Sequence, residues 1–268
     1  MPAPLHIITL VKWVPDSQLE RRFTHERRLD RSEGILAELD EYPLEAALQI
    51  KESVKDRQVT VSALTIGPAG ASAALKKALQ IGADEGYHLN DDALINADTS
   101  ATSKAAAAAV EHLRSLSGLT EADYLLVAGM ASEDGESGAM PLKLAERLGL
   151  PAITQTVELS VEDRRLTAVR VSPTETQRLA TDLPALVTVT DQANEPRYPN
   201  FRAIMRARKK PTTTFTLADA GVDAAAVAPR ITVLSAEPRP ERTAGEIIAD
   251  DGEAGISLVD YLEKERLL

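Results

Sequence analysis

Cysteine is absent from the 268 residues of this chain. Its absence excludes disulfide bonds, thiolate-bound zinc, cysteine-held iron–sulfur clusters and cysteine nucleophiles. Histidine is also scarce, and the four residues His6, His25, His88 and His112 show no metal-ligand spacing. The chain is therefore predicted to hold no metal and no redox centre of its own.

Long hydrophobic runs are missing as well. The longest apolar stretches have the length of a strand, and the amino terminus lacks a basic region followed by an apolar stretch and a cleavage site. We therefore expect no membrane insertion and, if the source is bacterial, a cytoplasmic location. With 44% hydrophobic residues, the chain can build one large domain, or one domain with a long appendage.

Basic charge is sparse. The formal net charge is -11, which would repel the phosphates of nucleic acids. The only concentrated basic stretch is Arg206–Lys210. Nucleic acid is therefore not an expected partner.

The first two-thirds of the chain alternates short β-branched runs with helical patterns, which is typical of βαβ units on a parallel sheet. Leu5–Val14 is apolar at nearly every position, as expected for a central strand, and Asp40–Lys55 has the spacing of a crossover helix. After Pro151 two alternating runs, Ile153–Val161 and Leu166–Val171, predict an antiparallel addition. The sequence thus predicts an α/β fold around a parallel sheet.

The last part of the chain differs in composition from the rest. Beyond Pro211 the chain turns polar and proline-punctuated, with an acidic stretch at Asp250–Gly255 and a final amphipathic helix at Ser257–Arg266. Such a tail can bury little surface against its own domain. We therefore predict a nucleotide-binding α/β domain over residues 1–211 and an arm over residues 212–268 that packs on a partner.

A glycine-rich loop, Gly129–Met140, is the best candidate for a small-molecule site. It joins the buried strand Tyr124–Ala128 to a helix, and ligands of open α/β sheets bind at such strand ends. The candidate contacts are glycines that let the backbone approach a phosphate and serines that offer hydroxyl donors: Gly129, Gly135, Gly138, Ser132 and Ser137.

The loop matches neither a Walker motif nor GxGxxG, and its glycines are equally compatible with a structural turn. Its acidic residues Glu133, Asp134 and Glu136 argue against a naked triphosphate unless a cation intervenes or they face sugar hydroxyls. A monophosphate nucleotide fits better.

Other residues near the predicted strand ends permit two interpretations each. Lys12 could neutralise a phosphate or simply extend into solvent, and Trp13 and Tyr42 could stack on a flavin or adenine ring or belong to the core. No serine lies in a nucleophile elbow, and no histidine sits near an orienting carboxylate. We therefore predict no catalytic residue.

The segment NEPRY, Asn194–Tyr198, predicts a rigid surface loop suited to recognition. Pro196 and Pro199 fix the backbone, so that Glu195, Arg197 and Tyr198 could project in set directions. The alternative is a plain connection in which Glu195 and Arg197 form an exposed pair that contributes little.

Seven segments occur in a specific order: VKWVPD (11–16), DEYPLEAALQIKE (40–52), TIGP (65–68), ALQIGAD (78–84), the glycine loop, NEPRYPNFRAIMRARKK (194–210) and RTAGE (242–246). Because these segments occur together and in this order, the chain resembles the β-subunit family of electron transfer flavoproteins over essentially its whole length. The resemblance implies a three-layer αβα, Rossmann-like parallel sheet of the adenine nucleotide alpha hydrolase type, with an antiparallel addition and an extended C-terminal arm.

The resemblance also implies cofactors and a partner. The chain would form a heterodimer with an α subunit, which would hold most of the FAD, while the β subunit would hold a structural AMP. The family's AMP contacts carry over to Leu10, Asp40, Ile66, Gly129, Ser132, Asp134, Gly135, Ser137 and Gly138.

The loop around NEPRY resembles the family's recognition loop, which carries over to Ala193, Asn194, Glu195, Pro196, Arg197 and Tyr198. In the family this loop docks on acyl-CoA or other flavin dehydrogenases, and the electrons pass toward a quinone oxidoreductase specific for the flavoprotein. The resemblance thus implies an electron carrier of pathways such as fatty acid β-oxidation, without turnover of its own.

The chain departs from the family pattern ahead of the first helix motif, where Ala37-Glu38 stands in place of a common Asn-Pro at the expected adenine or ribose contact, and at three further positions. Ala193 replaces a common leucine or isoleucine, which should weaken hydrophobic insertion into a partner. Val169 and Val171, on either side of Arg170, replace residues that are often acidic.

Two other hypotheses stay open. The chain could be a free-standing AMP- or ATP-binding domain of the universal-stress or pyrophosphatase type, although NEPRY and the arm would then be unexplained. It could also be a purely structural partner of a flavoprotein that passes no electrons itself.

Overall fold

The computed structural model describes residues 2–243, 245, 247, 249–250 and 252–268. They divide into two units, Met1–Ser235 and Ala236–Leu268. Ala244 and Glu246 of the RTAGE motif, and Asp251 of the acidic stretch, lie outside the described residues.

The secondary structure alternates strands and helices through most of the chain. The strands are β1 (Leu5–Leu10), β2 (Trp13–Pro15), β3 (Gly34–Leu36), β4 (Val59–Ile66), β5 (Glu85–Leu89), β6 (Asp123–Gly129), β7 (Ala152–Glu162), β8 (Arg165–Val171), β9 (Thr176–Asp182), β10 (Ala185–Val189) and β11 (Thr212–Phe215). The α-helices are α1 (Glu41–Ser53), α2 (Ser72–Ile81), α3 (Thr99–Leu116), α4 (Ala139–Leu148), α5 (Phe201–Ala207) and α6 (Ala254–Lys264).

One nine-stranded sheet organises the first unit, in the order β11-β5-β4-β1-β6-β10-β7-β8-β9. The strands from β11 to β7 are parallel to their neighbours, and β8 and β9 continue the sheet antiparallel. The predicted α/β fold with an antiparallel addition is confirmed. The chain builds outward from β1 through β4 to β5 and then returns to β6 on the other side of β1, so the order reverses between β1 and β6.

Helices cover both faces of this sheet. Leu44 of α1, Leu75 of α2 and Ala207 of α5 pack on one face in a core that includes Ile7 and Val127. On the other face, α3 and α4 bury a second core. Its members include Ile8, Leu126, Val110, Leu113 and Leu144. Alternate residues of β1 and β6 therefore point into different cores, as expected for strands covered on both sides.

The predicted single strand Leu5–Val14 is two strands in the structure. The sheet pairing ends at Leu10, and the Lys12 amide donates to the Asp40 side chain. Trp13–Pro15 then pairs antiparallel with Gly34–Leu36 in a separate two-stranded sheet. Residues 16–33 between these strands form an excursion, called here the β2–β3 segment, that the pattern of the sequence did not indicate.

Residues after Pro211 contribute to the first unit. Thr212–Phe215 forms an edge strand parallel to β5, and Phe215, Leu217 and Val227 are buried in the second core. The division between the two units therefore falls later in the chain than the predicted start of the arm.

The second unit contains the amphipathic helix α6. Ile256, Leu258 and Tyr261 of this helix are all more than half exposed. That the arm packs on a partner stays a prediction. Among the described residues, no helix is long and apolar enough to cross a membrane.

A buried ion pair fixes the turn between β7 and β8 to the main sheet. Asp123, at the start of β6, contacts Nη1 of Arg57 at 3.0 Å and also contacts Arg164. The Arg57 side chain is 1% exposed, and its Nη2 donates to the carbonyl of Asp163. Removing the carboxylate would leave a buried guanidinium without its counter-charge.

We expect Asp123→Ala to lower the free energy of unfolding by about 3 kcal/mol or more, because the charge of Arg57 would stay buried. Urea denaturation measures this loss. Asp182→Ala is the control, because the Asp182–Arg165 pair is well exposed and should contribute less than about 1 kcal/mol. Equal losses for the two variants would contradict the assignment.

Candidate functional site

A cavity of about 580 Å³ lies at the carboxyl ends of the central strands. Its lining includes Leu10, Ile66 and Gly129, which are the last residues of β1, β4 and β6. The cavity thus sits beside the reversal of strand order, where ligands of open α/β sheets bind. Its volume is within the range of small-molecule sites.

The glycine-rich loop forms one wall, and helix α4 begins at its end. Gly138 precedes the helix in the left-handed region (φ 59°), and a Cβ there would lie 3.1 Å from the carbonyl of Met130. Because Gly138 has no side chain, it cannot cap the helix. The Ala139 amide has only a long contact of 3.4 Å with Oγ of Ser137. Weakly satisfied amides at a helix start are suited to an anion.

Gly129 is required for a different reason from the predicted one. A Cβ at this position would lie 2.8 Å from the carbonyl of Leu39 and 2.9 Å from Oδ1 of Asp40. The glycine therefore allows β6 to pass closely against the start of α1. The approach of a ligand is not needed to explain it.

Asp134 is buried between two cations. Its side chain is 2% exposed, and its oxygens lie 2.7 Å from Nζ of Lys12 and 2.5 Å from Nη2 of Arg31. Lys12 also donates to Oγ of Ser132 at 3.2 Å. Although burial opposes ionisation, the hydrogen bonds and charges of Lys12 and Arg31 hold the pKa of Asp134 well below its usual range. We call Lys12, Asp134 and Arg31 the Asp134 clamp.

The clamp joins three segments around the cavity: the end of β1, the β2–β3 segment and the glycine loop. Arg21 adds a bond to the carbonyl of Glu133 at 3.0 Å, and the Leu39 amide donates to Oε1 of Glu133 at 2.7 Å. The acidic loop residues 133 and 134 are thus engaged by the protein. The carboxylate of Asp134 therefore presents no free negative charge to a ligand, whereas Oε2 of Glu133 is buried without a hydrogen-bond partner.

Asp40 is the buried acid of the cavity. Its Oδ2 accepts from the Lys12 amide at 2.7 Å, and the residue is 7% exposed. Burial raises the pKa of Asp40 to about 8, with the charges of Glu133 and Asp134 acting in the same direction and the Lys12 amide opposing them. At neutral pH the group is therefore mostly a neutral carboxylic acid, able to donate a hydrogen bond.

Apolar and basic residues both line the cavity, and the acids Glu26, Asp91 and Asp92 line it as well. Leu10, Leu64, Ile66, Ala106 and Met140 provide the apolar surface. The basic residues of the lining are Lys12, Arg28 and Arg31. Trp13 also lines the cavity, and its Nε1 donates to the carbonyl of Arg31 at 3.1 Å. This lining fits a nucleoside monophosphate, because the apolar residues could contact the nucleobase while the cations and the amides at the start of α4 could bind the phosphate.

The structure brings together all the predicted cofactor-binding residues except Asp134 in the lining of this cavity. Asp134 lies behind Lys12 and Arg31. Sequence reasoning missed Arg28 and Arg31, because nothing in the pattern indicated that the β2–β3 segment folds over the strand ends. Lys12 lines the cavity and contacts Ser132 and Asp134, which favours its role at a phosphate over that of a plain solvent-exposed lysine.

The NEPRY loop lies on helix α1 and α2. Tyr198 is 90% exposed, with Nζ of Lys77 5.0 Å from its ring centroid, and Glu195 is exposed as well. Arg197 does not project outward as expected. Its guanidinium turns back to α1, where it binds Glu45 at 2.7 and 2.9 Å and Glu52 at 2.6 and 3.1 Å.

Two further contacts hold this loop. Nδ2 of Asn194 donates to the carbonyl of Tyr42 at 3.0 Å, and Ala193 is half-buried against the first core. Ala193 therefore attaches the loop to the core of the domain. Of the two hairpin departures, Val169 is buried and Val171 is half exposed.

No group of three or more His, Cys, Asp or Glu side chains could hold a metal ion among the described residues. The buried acids of the site, Asp40 and Asp134, are bound by an amide and by two cations.

The fold is that of an α/β protein with a mainly parallel sheet and a cavity at the carboxyl ends of its central strands. Residues 28–220 match the model of the electron transfer flavoprotein domain. The chain is 39% identical to electron transfer flavoprotein subunit beta of Mycobacterium tuberculosis, over 98% of this chain and 99% of that one. It is 31% identical to the subunit of that name from Bacillus subtilis, over 88% of each chain. It is also 30% identical to the caffeyl-CoA reductase-Etf complex subunit CarD of Acetobacterium woodii, over 98% of this chain and 100% of that one.

The chain belongs to the electron transfer flavoprotein subunit beta family. The resemblance noted from the ordered motifs is therefore confirmed. Family membership implies association with a flavin and with electron transfer.

We expect Asp40→Asn to remove a pH dependence of stability. The pKa of Asp40 is higher in the folded chain than in the unfolded chain, so its contribution is fully present below pH 4 and is lost as the pH rises toward 8. The wild type should lose about 2 kcal/mol of unfolding free energy between pH 6 and pH 8 that Asp40→Asn retains. Urea denaturation at both pH values tests this, and parallel losses in the two proteins would contradict it.

Asp134→Asn should behave in the opposite way. The pKa of Asp134 is lowered in the folded chain, so its contribution is present at neutral pH and is lost as the pH falls below about 4. We expect the variant to be on the order of 2 kcal/mol less stable at pH 7, because Lys12 and Arg31 lose their counter-charge. The deficit should shrink only well below pH 4, as the pH falls toward the lowered pKa of Asp134, and a deficit that stays constant down to pH 2.5 would argue against the ion pairs.

Proposed function

We propose that this chain is the β subunit of a heterodimeric electron transfer flavoprotein. It would accept electrons from acyl-CoA or related flavin dehydrogenases and pass them toward a quinone oxidoreductase, as in fatty acid β-oxidation. The α subunit would hold most of the FAD, and this chain would act as an electron carrier without turnover of its own.

The cavity supports a structural AMP in this chain. The observation that carries the proposal is the arrangement around the glycine loop, where the Asp134 clamp places the ammonium group of Lys12 beside Ser132. Leu10, Ile66, Asp40 and the glycine loop would hold the nucleotide, with its phosphate toward Lys12 and the start of α4. The phosphate of a bound AMP would neutralise part of the positive charge of the lining, and the nucleotide would fill the space between the strands and α3.

The recognition loop supports the docking role. Arg197 and Asn194 attach the loop to α1, so the loop has little freedom to lose when a dehydrogenase binds. A rigid docking element suits a carrier that must form brief complexes with its redox partners.

The proposal is tested by co-expressing the chain with an α subunit from the same genome and purifying the complex. Flavin absorbance and mass spectrometry of the released nucleotides give the FAD and AMP content. We expect one FAD and one AMP per heterodimer. Two FAD and no AMP would contradict the AMP assignment. A chain that forms no complex and binds or hydrolyses ATP alone would favour the free-standing nucleotide-binding domain.

We expect Lys12→Met to remove most of the AMP from the purified complex and to leave its FAD content unchanged. The change keeps the aliphatic stem but removes the charge that lies beside Ser132. Lys55→Met, at an exposed lysine beyond the end of α1, is the matched control and should retain AMP. A Lys12→Met complex with a full complement of AMP would refute a phosphate-side role for Lys12.

A further inference from the structure

The β2–β3 segment covers one side of the cavity. Five of its residues, Thr24, Glu26, Arg28, Leu29 and Arg31, are in the cavity lining. The lining also includes the ends of β1, β4 and β6 and part of α3, which the two hydrophobic cores hold in place. The β2–β3 segment is therefore a wall of the cavity that can move without disturbing the sheet.

Hydrogen bonds within this segment make it a small hairpin. The Thr24 amide donates to the carbonyl of Arg28 at 2.7 Å, and the Asp30 amide donates to the carbonyl of Arg22 at 2.9 Å. An isolated antiparallel bridge between the two arms lies beside these bonds. Because the bonds are made inside the segment, it can move as one body without losing them.

The base of the hairpin is fixed to the domain. Strands β2 and β3 pair there, and the Trp13 ring lies so close to Gly34 that a Cβ on the glycine would be 2.3 Å from Cε2 of the ring. The Asp16 amide then donates to the carbonyl of Glu33 at 3.3 Å, directly beyond the two strands. A movement of the hairpin would therefore have its hinge near Asp16 and Glu33.

Polar contacts hold the hairpin over the cavity. Nη2 of Arg31 lies 2.5 Å from Asp134, and the carbonyl of Arg31 accepts from Nε1 of Trp13 at 3.1 Å. Nη2 of Arg21 donates to the carbonyl of Glu133 at 3.0 Å. In the described chain, no residue between 16 and 33 belongs to either hydrophobic core. Because the Asp134 side chain is only 2% exposed, its ion pair with Arg31 is screened little and is the strongest of these contacts.

We propose that the β2–β3 segment is a flap over the nucleotide site and that the Arg31–Asp134 ion pair is the latch that holds it closed. The inference rests on the proposed function, which supplies the ligand, AMP. Opening of the flap would break the bonds of Arg31 and Arg21, whereas Lys12 would stay beside Ser132 and Asp134 on the glycine loop. The carboxylate of Asp134 thus positions a cation for the phosphate and also controls the exchange of the nucleotide with solvent.

The test measures the exchange of AMP in the purified complex with the α subunit. Isotope-labelled AMP is added in excess to the AMP-loaded complex, and mass spectrometry of the bound nucleotide gives the dissociation rate. Equilibrium dialysis against a series of AMP concentrations gives Kd, and the dissociation rate divided by Kd gives the association rate. Arg31→Met removes the latch and keeps the aliphatic stem. Arg22→Met is the matched control, because Arg22 lies in the same segment and its partner Glu20 is exposed.

We expect Arg31→Met to exchange AMP at least tenfold faster than the wild type, with Kd changed less than threefold. The latch is a bond between two protein groups, so its loss should favour opening of the empty and of the occupied site alike. Dissociation and association should therefore both become faster. Arg21→Met, which loses one bond to a carbonyl, should accelerate exchange by a smaller factor, and Arg22→Met should stay within twofold of the wild type.

Two results would overturn the inference and leave the proposed function intact. The first is exchange at the wild-type rate in Arg31→Met. The second is an equal rise in the dissociation rate and in Kd, which would make Arg31 a direct contact of the phosphate instead of a latch. A wild-type complex that contains FAD and no AMP would refute the AMP assignment itself, and the flap with it. The FAD content and the melting temperature of each variant complex exclude loss of folding as the cause.

Discussion

The carboxylate of Asp134 is buried between Lys12 and Arg31, and the geometry of the cavity depends on this arrangement. A buried carboxylate without partners would be strongly destabilising, so both cations must stay in place. Lys12 continues from β1, Arg31 belongs to the β2–β3 segment and Asp134 belongs to the glycine loop. One ion cluster therefore joins three segments that are far apart in the sequence, and it leaves Lys12 beside the space that a phosphate would occupy.

Helix α1 links the two candidate functional surfaces. It begins directly after Asp40, which lines the cavity, and its Glu45 and Glu52 bind Arg197 under the NEPRY loop. Glu45 and Glu52 pair with Arg197 and hold the surface loop, whereas the ion pairs of the Asp134 clamp lie in the segments around the cavity. Helix α1 thus lies between a cavity of nucleotide size and an exposed loop, an arrangement that suits the proposed electron carrier.

Much of the fold could be predicted because its strands are continuous apolar runs and its helices have apolar residues at regular spacing. The predicted cofactor-binding residues lie together since the carboxyl ends of β1, β4 and β6 meet at one edge. The β2–β3 segment, β9 and β11 were not predicted. Strands β2 and β3 have three residues each, β9 is polar although it pairs with the adjacent β8, and β11 is short and pairs with the distant β5. Arg197 illustrates a further limit: its sequence neighbours suggested an exposed pair with Glu195, whereas the tertiary fold offers it the two carboxylates of α1.

A crystal structure of the complex with the α subunit and bound AMP would test the central claim most directly, because it would locate the phosphate. The account predicts a phosphate within hydrogen-bonding distance of Nζ of Lys12 and of amides in the segment 132–139, with Asp134 still between Lys12 and Arg31. A phosphate bound elsewhere, or a cavity closed by displacement of the glycine loop with Asp134 released from both cations, would contradict it.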